Sequence, residues 1–185
     1  EVIVTASMVS DASVFLQDSQ LDATWAVNPG EFVIITFEII NNASVQDIFS
    51  TSAEIIGFND WTVVDIVPEQ MFLNSNSSGT FVVTLQSPES AQYGDNCPGI
   101  IAEINSQRSG QNYQSMTYDN LAIRQVNDVS ILEVNSPDAI IPGQINNFNL
   151  TVENLGNGPV TFLLFGWAKF HVCSMPLSLK LRSFF

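Results

Sequence analysis

Bases, histidine and cysteine are the scarce residues of this chain. Five Lys and Arg stand against 19 Asp and Glu over 185 residues, a net charge of −14. Nucleic-acid binding is thereby excluded, because it needs Lys and Arg to neutralise phosphate, and anionic membrane surfaces are disfavoured by the same charge. A single histidine, His171, leaves no second candidate for a Ser-His-Asp or Cys-His arrangement. Cys173 lies two residues from it with no third group to orient the pair. The two cysteines, Cys97 and Cys173, allow one pairing at most and fall in different halves, so stability must come from a sheet core. No Gly-rich phosphate loop and no Cys/His metal spacing is present. Paired carboxylates abound in so acidic a chain, but a glycosidase pair needs a cleft and a fixed separation. The longest late apolar run, "VTFLLFGWAKF", is about half of the ~20 residues that a spanning helix requires. These absences predict a protein that is not an enzyme, with no cofactor, no nucleic-acid partner and no membrane span.

Helical periodicity is also missing: nowhere do apolar residues recur at i, i+3, i+4 and i+7 for three turns. What is present is strand. The chain is 45% hydrophobic, and Val, Ile, Thr and Phe fill short runs broken by Asn, Gly, Ser and Pro. In "VIITFEI" Ile35, Phe37 and Ile39 fall on one face, Thr36 and Glu38 on the other. In "NNFNLTVEN" Phe148, Leu150 and Val152 alternate with Asn149, Thr151 and Glu153. Period 2 with one polar face is the signature of an antiparallel sandwich strand.

These two runs belong to similar phrases, "NPGEFVIITFEIINNAS" and "IPGQINNFNLTVENLGN". At an offset of 113, Pro29-Gly30 aligns with Pro142-Gly143, Ile39 with Val152 and Asn41 with Asn154. Pro-Gly makes the turn before the strand and the Asn-rich end the turn after it. Upstream, "DASVF" from Asp11 aligns with "DVSIL" from Asp128 at an offset of 117, and the difference is absorbed by "QDSQLDATWAV", read as a loop insertion. The spacing is too long for a solenoid turn and suits a whole immunoglobulin-sized sandwich of ~100 residues. The expected fold class is therefore all-β, with tandem immunoglobulin-like antiparallel sandwiches of which the second is incomplete.

Four segments follow. Residues 10–125 form the first sandwich, with about seven strand-like runs, "NSNSSG" as a hairpin-like loop and "SPESAQYGDNCPG" as a longer connection. Residues 126–165 begin a second module. Residues 1–9 occupy the place of a last strand of a preceding module. Residues 166–185 are an atypical tail: the chain carries two bases and 19 acids through Phe165, then three bases and no acid. The chain starts without Met or a basic leader region and reads as a mature product or fragment. A half-length second copy should leave Ile145, Phe148, Leu150 and Val152 exposed.

The segments "PGEFVIITFEIINNAS", "GFNDWTVVDIVP" (with Gly57, Trp61, Val63 and Pro68) and "LNSNSSGTFVVTLQSPESAQYG" stand in the order found in a known family. They resemble the immunoglobulin-like β-sandwich appended to bacterial alpha-galactosidases, related to adhesion-associated repeats of secreted bacterial and archaeal proteins. The resemblance covers about residues 10–124 and, in part, 127–164. One departure is "DNCPG" after Gly94, where the family runs straight into a strand. The resemblance implies a non-catalytic accessory or spacer role and no galactosidase activity.

Candidate sites are few. Asp119, Asn120, Asn127 and Asp128 flank the junction between copies and could supply oxygen ligands to calcium, though Asp and Asn are also ordinary turn residues. Sugar stacking would draw on Trp25, Trp61, Tyr93, Tyr113 and Tyr118. Trp61 is expected in the core, and Tyr113 and Tyr118 sit in a loop or hairpin that could face solvent. Asn42, Asn76 and Asn149 head glycan acceptor sequons. The function expected is an extracellular or cell-surface spacer, presentation or adhesion module, partnered by neighbouring immunoglobulin-like modules and by cell-surface polysaccharide or protein. The alternatives are a carbohydrate-binding accessory module of a secreted glycosidase, with two or three coplanar exposed rings, and a subunit of a surface filament.

Overall fold

The computed structural model describes residues 11–20, 25–57, 60–95, 97–119, 121–135, 149–161, 164–169 and 174–179. The chain divides into two compact units, Glu1–Arg124 and Gln125–Phe185.

The first unit is a two-sheet sandwich. Its strands are β1 (Ala12–Leu16), β2 (Trp25–Val27), β3 (Phe32–Asn41), β4 (Asp47–Ile56), β5 (Thr62–Val67), β6 (Gln70–Leu73), β7 (Ser78–Gln86), β8 (Gly99–Ser106), β9 (Asn112–Gln114) and β10 (Leu121–Ile123). One sheet has the order β1-β3-β7-β5 and the other β6-β4-β8-β9. All pairings within these sheets are antiparallel. A third, parallel pair joins β10 to β2.

Strand β3 shows why this sequence folds so. Its odd-numbered residues Val33, Ile35, Phe37 and Ile39 are buried, whereas Phe32 and Ile34 are exposed. That is the alternation expected from "VIITFEI". Facing residues come from Phe81, Val83 and Leu85 on β7 and from Phe49, Ile100, Ala102 and Ile104 on the other sheet, all in one core cluster. Phe37 stacks on Phe81 with ring centroids 5.5 Å apart, across a directly opposed pair in the ladder. The Asn28–Glu31 turn that feeds β3 is closed by the Glu31 N–H donating to the Asn28 carbonyl at 3.1 Å. Pro29 takes its first corner and Gly30, at φ +78°, its second; this left-handed corner is what glycine supplies in a type II turn.

Three strands depart from the expected seven. "QDSQLDATWAV" is not a plain loop: Asp18–Gln20 form a 3-10 turn and Trp25–Val27 pair with Leu121–Ile123. "NSNSSG" does not close a hairpin. Strand β6 pairs with β4 in one sheet and β7 with β3 and β5 in the other, so the turn is a corner between sheets. The "RSGQNYQSMTYDN" segment contains β9, which pairs back on β8. Strands β2, β6 and β9 have three or four residues each, too few for alternation to declare itself; distant pairing makes β2 and β6 strands, and a hairpin on β8 makes β9 one.

The second unit contains β11 (Val129–Asn135), β12 (Asn149–Asn154), β13 (Leu164–Lys169) and β14 (Ser174–Leu179). Strand β11 pairs antiparallel with β12, and β13 with β14. Strand β13 runs across the Phe165–Gly166 boundary. The residues assigned to a preceding module, 1–9, lie outside those described.

The register of β11 on β12 repeats that of β1 on β3. Ala12↔Asn41, Ser13↔Ile40 and Val14↔Ile39 in the first unit become Val129↔Asn154, Ser130↔Glu153 and Ile131↔Val152 in the second, the positions given by the 117 and 113 offsets. A bulge at Leu132 follows, after which Val134 faces Leu150 as Leu16 faces Phe37. Burial does not repeat. Ala12, Val14 and Leu16 are 7%, 6% and 1% exposed, whereas Val129, Ile131 and Val134 are 37%, 56% and 61% exposed. Leu150 and Val152, expected to be exposed, are half-buried, and the exposed apolar residues of the ladder are on β11. Ile145 and Phe148 lie outside the described residues.

Replacing Phe37 by Ala should cost about 3–5 kcal/mol, the range for emptying a fully buried aromatic site. Urea unfolding of the full chain, followed by tryptophan fluorescence from buried Trp25 and Trp61, checks it.

Candidate functional site

The side chain that most organises the first unit is Asn41, at the end of β3 and fully buried. Its amide nitrogen donates to the carbonyls of Val45 (2.9 Å), Asn74 (3.1 Å) and Leu73 (3.3 Å). Its oxygen accepts from the Ala43 N–H at 3.1 Å. One carboxamide therefore closes the β3–β4 turn and ties it to the corner that starts β7. Beside it, the Asn42 N–H donates to the Asp11 carbonyl at 3.0 Å. The same bonds recur in the second unit. The Asn154 amide donates to the Gly158 carbonyl at 2.8 Å, its oxygen accepts from the Gly156 N–H at 3.0 Å, and the Leu155 N–H donates to the Asp128 carbonyl at 2.9 Å. Asn154 is exposed, however. Sequence reading placed Asn41 and Asn154 only as turn residues; their matching positions in the two phrases were the signal that they do more.

A second buried polar cluster fixes the β8–β9 hairpin. Asp47 is buried and is bonded to the Ser106 hydroxyl. Its other oxygen accepts from the N–H groups of Ile48 (2.7 Å) and Arg108 (3.1 Å). Ser106 in turn accepts from the Ser109 N–H and hydroxyl at 3.0 and 2.8 Å. Asp47 bonds two backbone N–H groups and the Ser106 hydroxyl, and Ser106 bonds Ser109, so the cluster ties the β8–β9 turn to the start of β4. Ser87 plays a related part at the Pro-Gly turn, donating to the carbonyls of Asn28 and Glu31 at 3.0 and 3.2 Å. Among the described residues every buried side-chain nitrogen or oxygen has a partner.

The sequence-derived candidates are scattered. Asp119 belongs to the first unit, and Asn127 and Asp128 to the second; all three are exposed, and Asn120 lies outside the described residues. Asp128 works through its backbone, whose carbonyl accepts from Leu155 and Gly156. Among the described residues no three His, Cys, Asp or Glu side chains gather as a metal site would require. Tyr118 corrects the expectation that it faces solvent. Its ring lies 6.0 Å from that of Phe37, and its hydroxyl accepts from the Leu16 N–H at 3.0 Å. Tyr113 is half-buried against the core, with its hydroxyl donating to Gln111 at 2.8 Å. Trp61 is buried, as expected, and so is Trp25. Among the described residues the exposed rings are Phe32 on β3 of one sheet, Phe72 on β6 of the other and Tyr93 in the loop before β8. The sequon residues Asn42, Asn76 and Asn149 are all exposed.

Cys97 is a free thiol that donates to the Asp95 carbonyl. Burial raises its pKa, with the nearby Asp95 charge adding to the effect and a hydrogen bond from Ile123 opposing it; a raised pKa keeps the thiol protonated and unreactive. Cys173 and His171 lie outside the described residues. Glu31 is the opposite case. Its carboxylate accepts from the Asn28 N–H and side-chain amide at 3.0 and 2.9 Å, and these bonds, the backbone one foremost, lower its pKa.

No protein-family model matches the chain, and no curated protein is similar to it in sequence. Among solved structures it is similar to a FixG-related protein from Vibrio parahaemolyticus, at 8% identity over 60% of this chain and 94% of that one, with a TM-score of 0.40. It is similar to PapD-like domain 7 of human CEP192, at 11% identity over 66% and 93%, with a TM-score of 0.35. It is also similar to a chain of a chaperone–tip adhesin complex of CFA/I fimbriae biogenesis, at 9% identity over 80% and 68%, with a TM-score of 0.38. Likenesses this distant carry nothing about function.

Two outcomes are expected. Asn41→Ala should destabilise the first unit by about 1–3 kcal/mol, because buried carbonyls lose their donor, and Asn41→Asp should do no better at neutral pH, since a carboxylate cannot donate to them; urea midpoints check both. For Glu31, a lowered folded pKa means stabilisation that is full above the unfolded value and lost as pH falls through the folded one. Wild type should therefore melt above Glu31→Gln at neutral pH, with the gap closing only below the usual carboxylate range.

Proposed function

We propose that the chain is part of a non-catalytic extracellular or cell-surface protein built of tandem immunoglobulin-like sandwiches, the second incomplete among the residues described. It acts as a spacer, presentation or adhesion module whose immediate partners are neighbouring modules. The observation that carries this reading is the repetition of ladder register and asparagine bonding at Asn41 and Asn154. Such repetition is expected of one module laid down more than once. The use of buried polar groups supports it as well: Asn41, Asp47, Ser87 and Ser106 all tie turns to strands. The acidic composition and three exposed sequons suit a surface open to the medium. The dispersal of exposed rings favours a spacer over a sugar reader, which needs aromatic faces side by side.

An antibody raised against the first unit should label intact, unpermeabilised cells of the source organism, or detect the protein in the medium. Labelling that appears only after permeabilisation overturns the extracellular reading.

A further inference from the structure

The corner between β6 and β7 holds the least encumbered of the three sequons, Asn76-Ser77-Ser78. Asn76 and Ser78 are both exposed. The corner is a turn in which the Ser77 N–H donates to the Asn74 carbonyl at 3.3 Å, and Asn76 takes its second central position at φ +52°. Among residues with a side chain, asparagine adopts that left-handed conformation most readily, so the turn accounts for Asn or Gly at this place. It does not choose between them. Nor does it call for a hydroxyl at Ser78, because the hydroxyl that serves the turn belongs to Ser77, which donates to the Asn74 carbonyl at 2.8 Å.

Attachment of a sugar needs a side-chain amide nitrogen that is reachable and clear of structural duty. At Asn76 that nitrogen donates within the turn, to the Ser75 hydroxyl at 2.9 Å. The Asn42 sequon is strapped down instead. The Asn42 N–H donates to the Asp11 carbonyl, its side-chain amide reaches Ser13 of β1 at 3.4 Å, and the middle residue, Ala43, is buried with its N–H held by the Asn41 side chain. Asn149 and Thr151 lie in the β11–β12 ladder, opposite Asn135 and Glu133. Position also favours Asn76. Ser78 pairs with Ile40, so the corner lies at the Asn41 end of β3. The segment that leaves the unit is at the other end, where Arg124 bonds Val27 beside the Pro-Gly turn. A bulky group on Asn76 stands clear of that exit.

We infer that Asn76 is the attachment site of an N-linked glycan, occupied ahead of Asn42 and Asn149. In the transfer, Nδ2 of Asn76 attacks the anomeric carbon of a lipid-linked glycosyl phosphate. The C–N bond forms as the C–O bond to phosphate breaks. The lipid phosphate departs with the bonding pair, and one amide proton passes to a base of the transferase; nothing is oxidised or reduced. Ser78 supplies the hydroxyl that an acceptor sequon requires two residues on. The product is a bulky, solubilising group over the corner whose Leu73 and Asn74 carbonyls Asn41 holds. This inference rests on the extracellular reading, because sequon glycosylation belongs to secreted chains.

The test recovers the chain separately from the medium, the cell surface and the cell interior of its source organism. Cleavage after glutamate places the sequons on separate peptides, 39–54, 70–89 and 134–153. Mass spectrometry should find sugar on most copies of the 70–89 peptide from outside the cell, and lower occupancy on the other two. In the same organism Asn76→Gly, which keeps the left-handed corner, and Ser78→Ala, which keeps the asparagine, should each leave that peptide without sugar. A bare 70–89 peptide on chain recovered from outside the cell overturns this inference and leaves the extracellular reading standing. Chain found only in the interior, with that peptide bare, overturns both. Higher occupancy at Asn42 or Asn149, or sugar that survives Ser78→Ala, also overturns the assignment to Asn76.

Discussion

A buried strand end has backbone groups that the ladder no longer serves, and these must be bonded before the strand can be buried at all. In the first unit this constraint falls on Asn41. Strand β3 is flanked on both sides, carries four core residues and ends at the fully buried Asn41. A carboxamide is suited to the place because it donates twice and accepts at once, whereas a hydroxyl or a carboxylate lacks one of those capacities. With Asn41 in position the β3–β4 turn, the β6–β7 corner and the far end of the core become one hydrogen-bonded body. Phe37 and Phe81 can then meet across β3 and β7 in a fixed register.

The second unit separates two things that the first combines. Its β11–β12 ladder, its asparagine turn and its Asp128 anchor are all formed as in the first, yet Val129, Ile131 and Val134 of β11 stay exposed. Pairing register is thus encoded within the flanking phrases themselves, by apolar alternation and by the Asx-type bonds of one residue. Burial is not encoded there; it comes from β7, β4 and β8, which lie later in the module. The comparison within one chain assigns geometry to local sequence and cover to distant sequence.

That division also explains what could be read in advance. Long strands such as β3, β7 and β8 announce themselves through period 2. The Pro-Gly turn could be recognised because its dihedral needs are met by two residue types. The repeat was visible because offsets preserve residue order. What stayed hidden depends on partners far along the chain. Strand β2 exists because Leu121–Ile123 lies beside it. Tyr118 turns inward because the Leu16 N–H, 102 residues away, needs an acceptor. Asp47 and Ser106 are 59 residues apart, and nothing in either neighbourhood announces their meeting.

The parallel pairing of β10 with β2 has a mechanical consequence. The first unit continues into the second through Arg124, whose N–H donates to the Val27 carbonyl at 2.8 Å, directly after the Leu121–Trp25, Ala122–Ala26 and Ile123–Val27 pairs. Consider a pull on Arg124 directed along β10. Because β2 runs the same way, the two strands must slide past one another, and their bonds share the load until they fail together. An antiparallel hairpin drawn from its open end would instead peel one bond at a time. Three short residues at the exit of the sandwich thus make its weakest-looking sheet a clasp against traction along the chain.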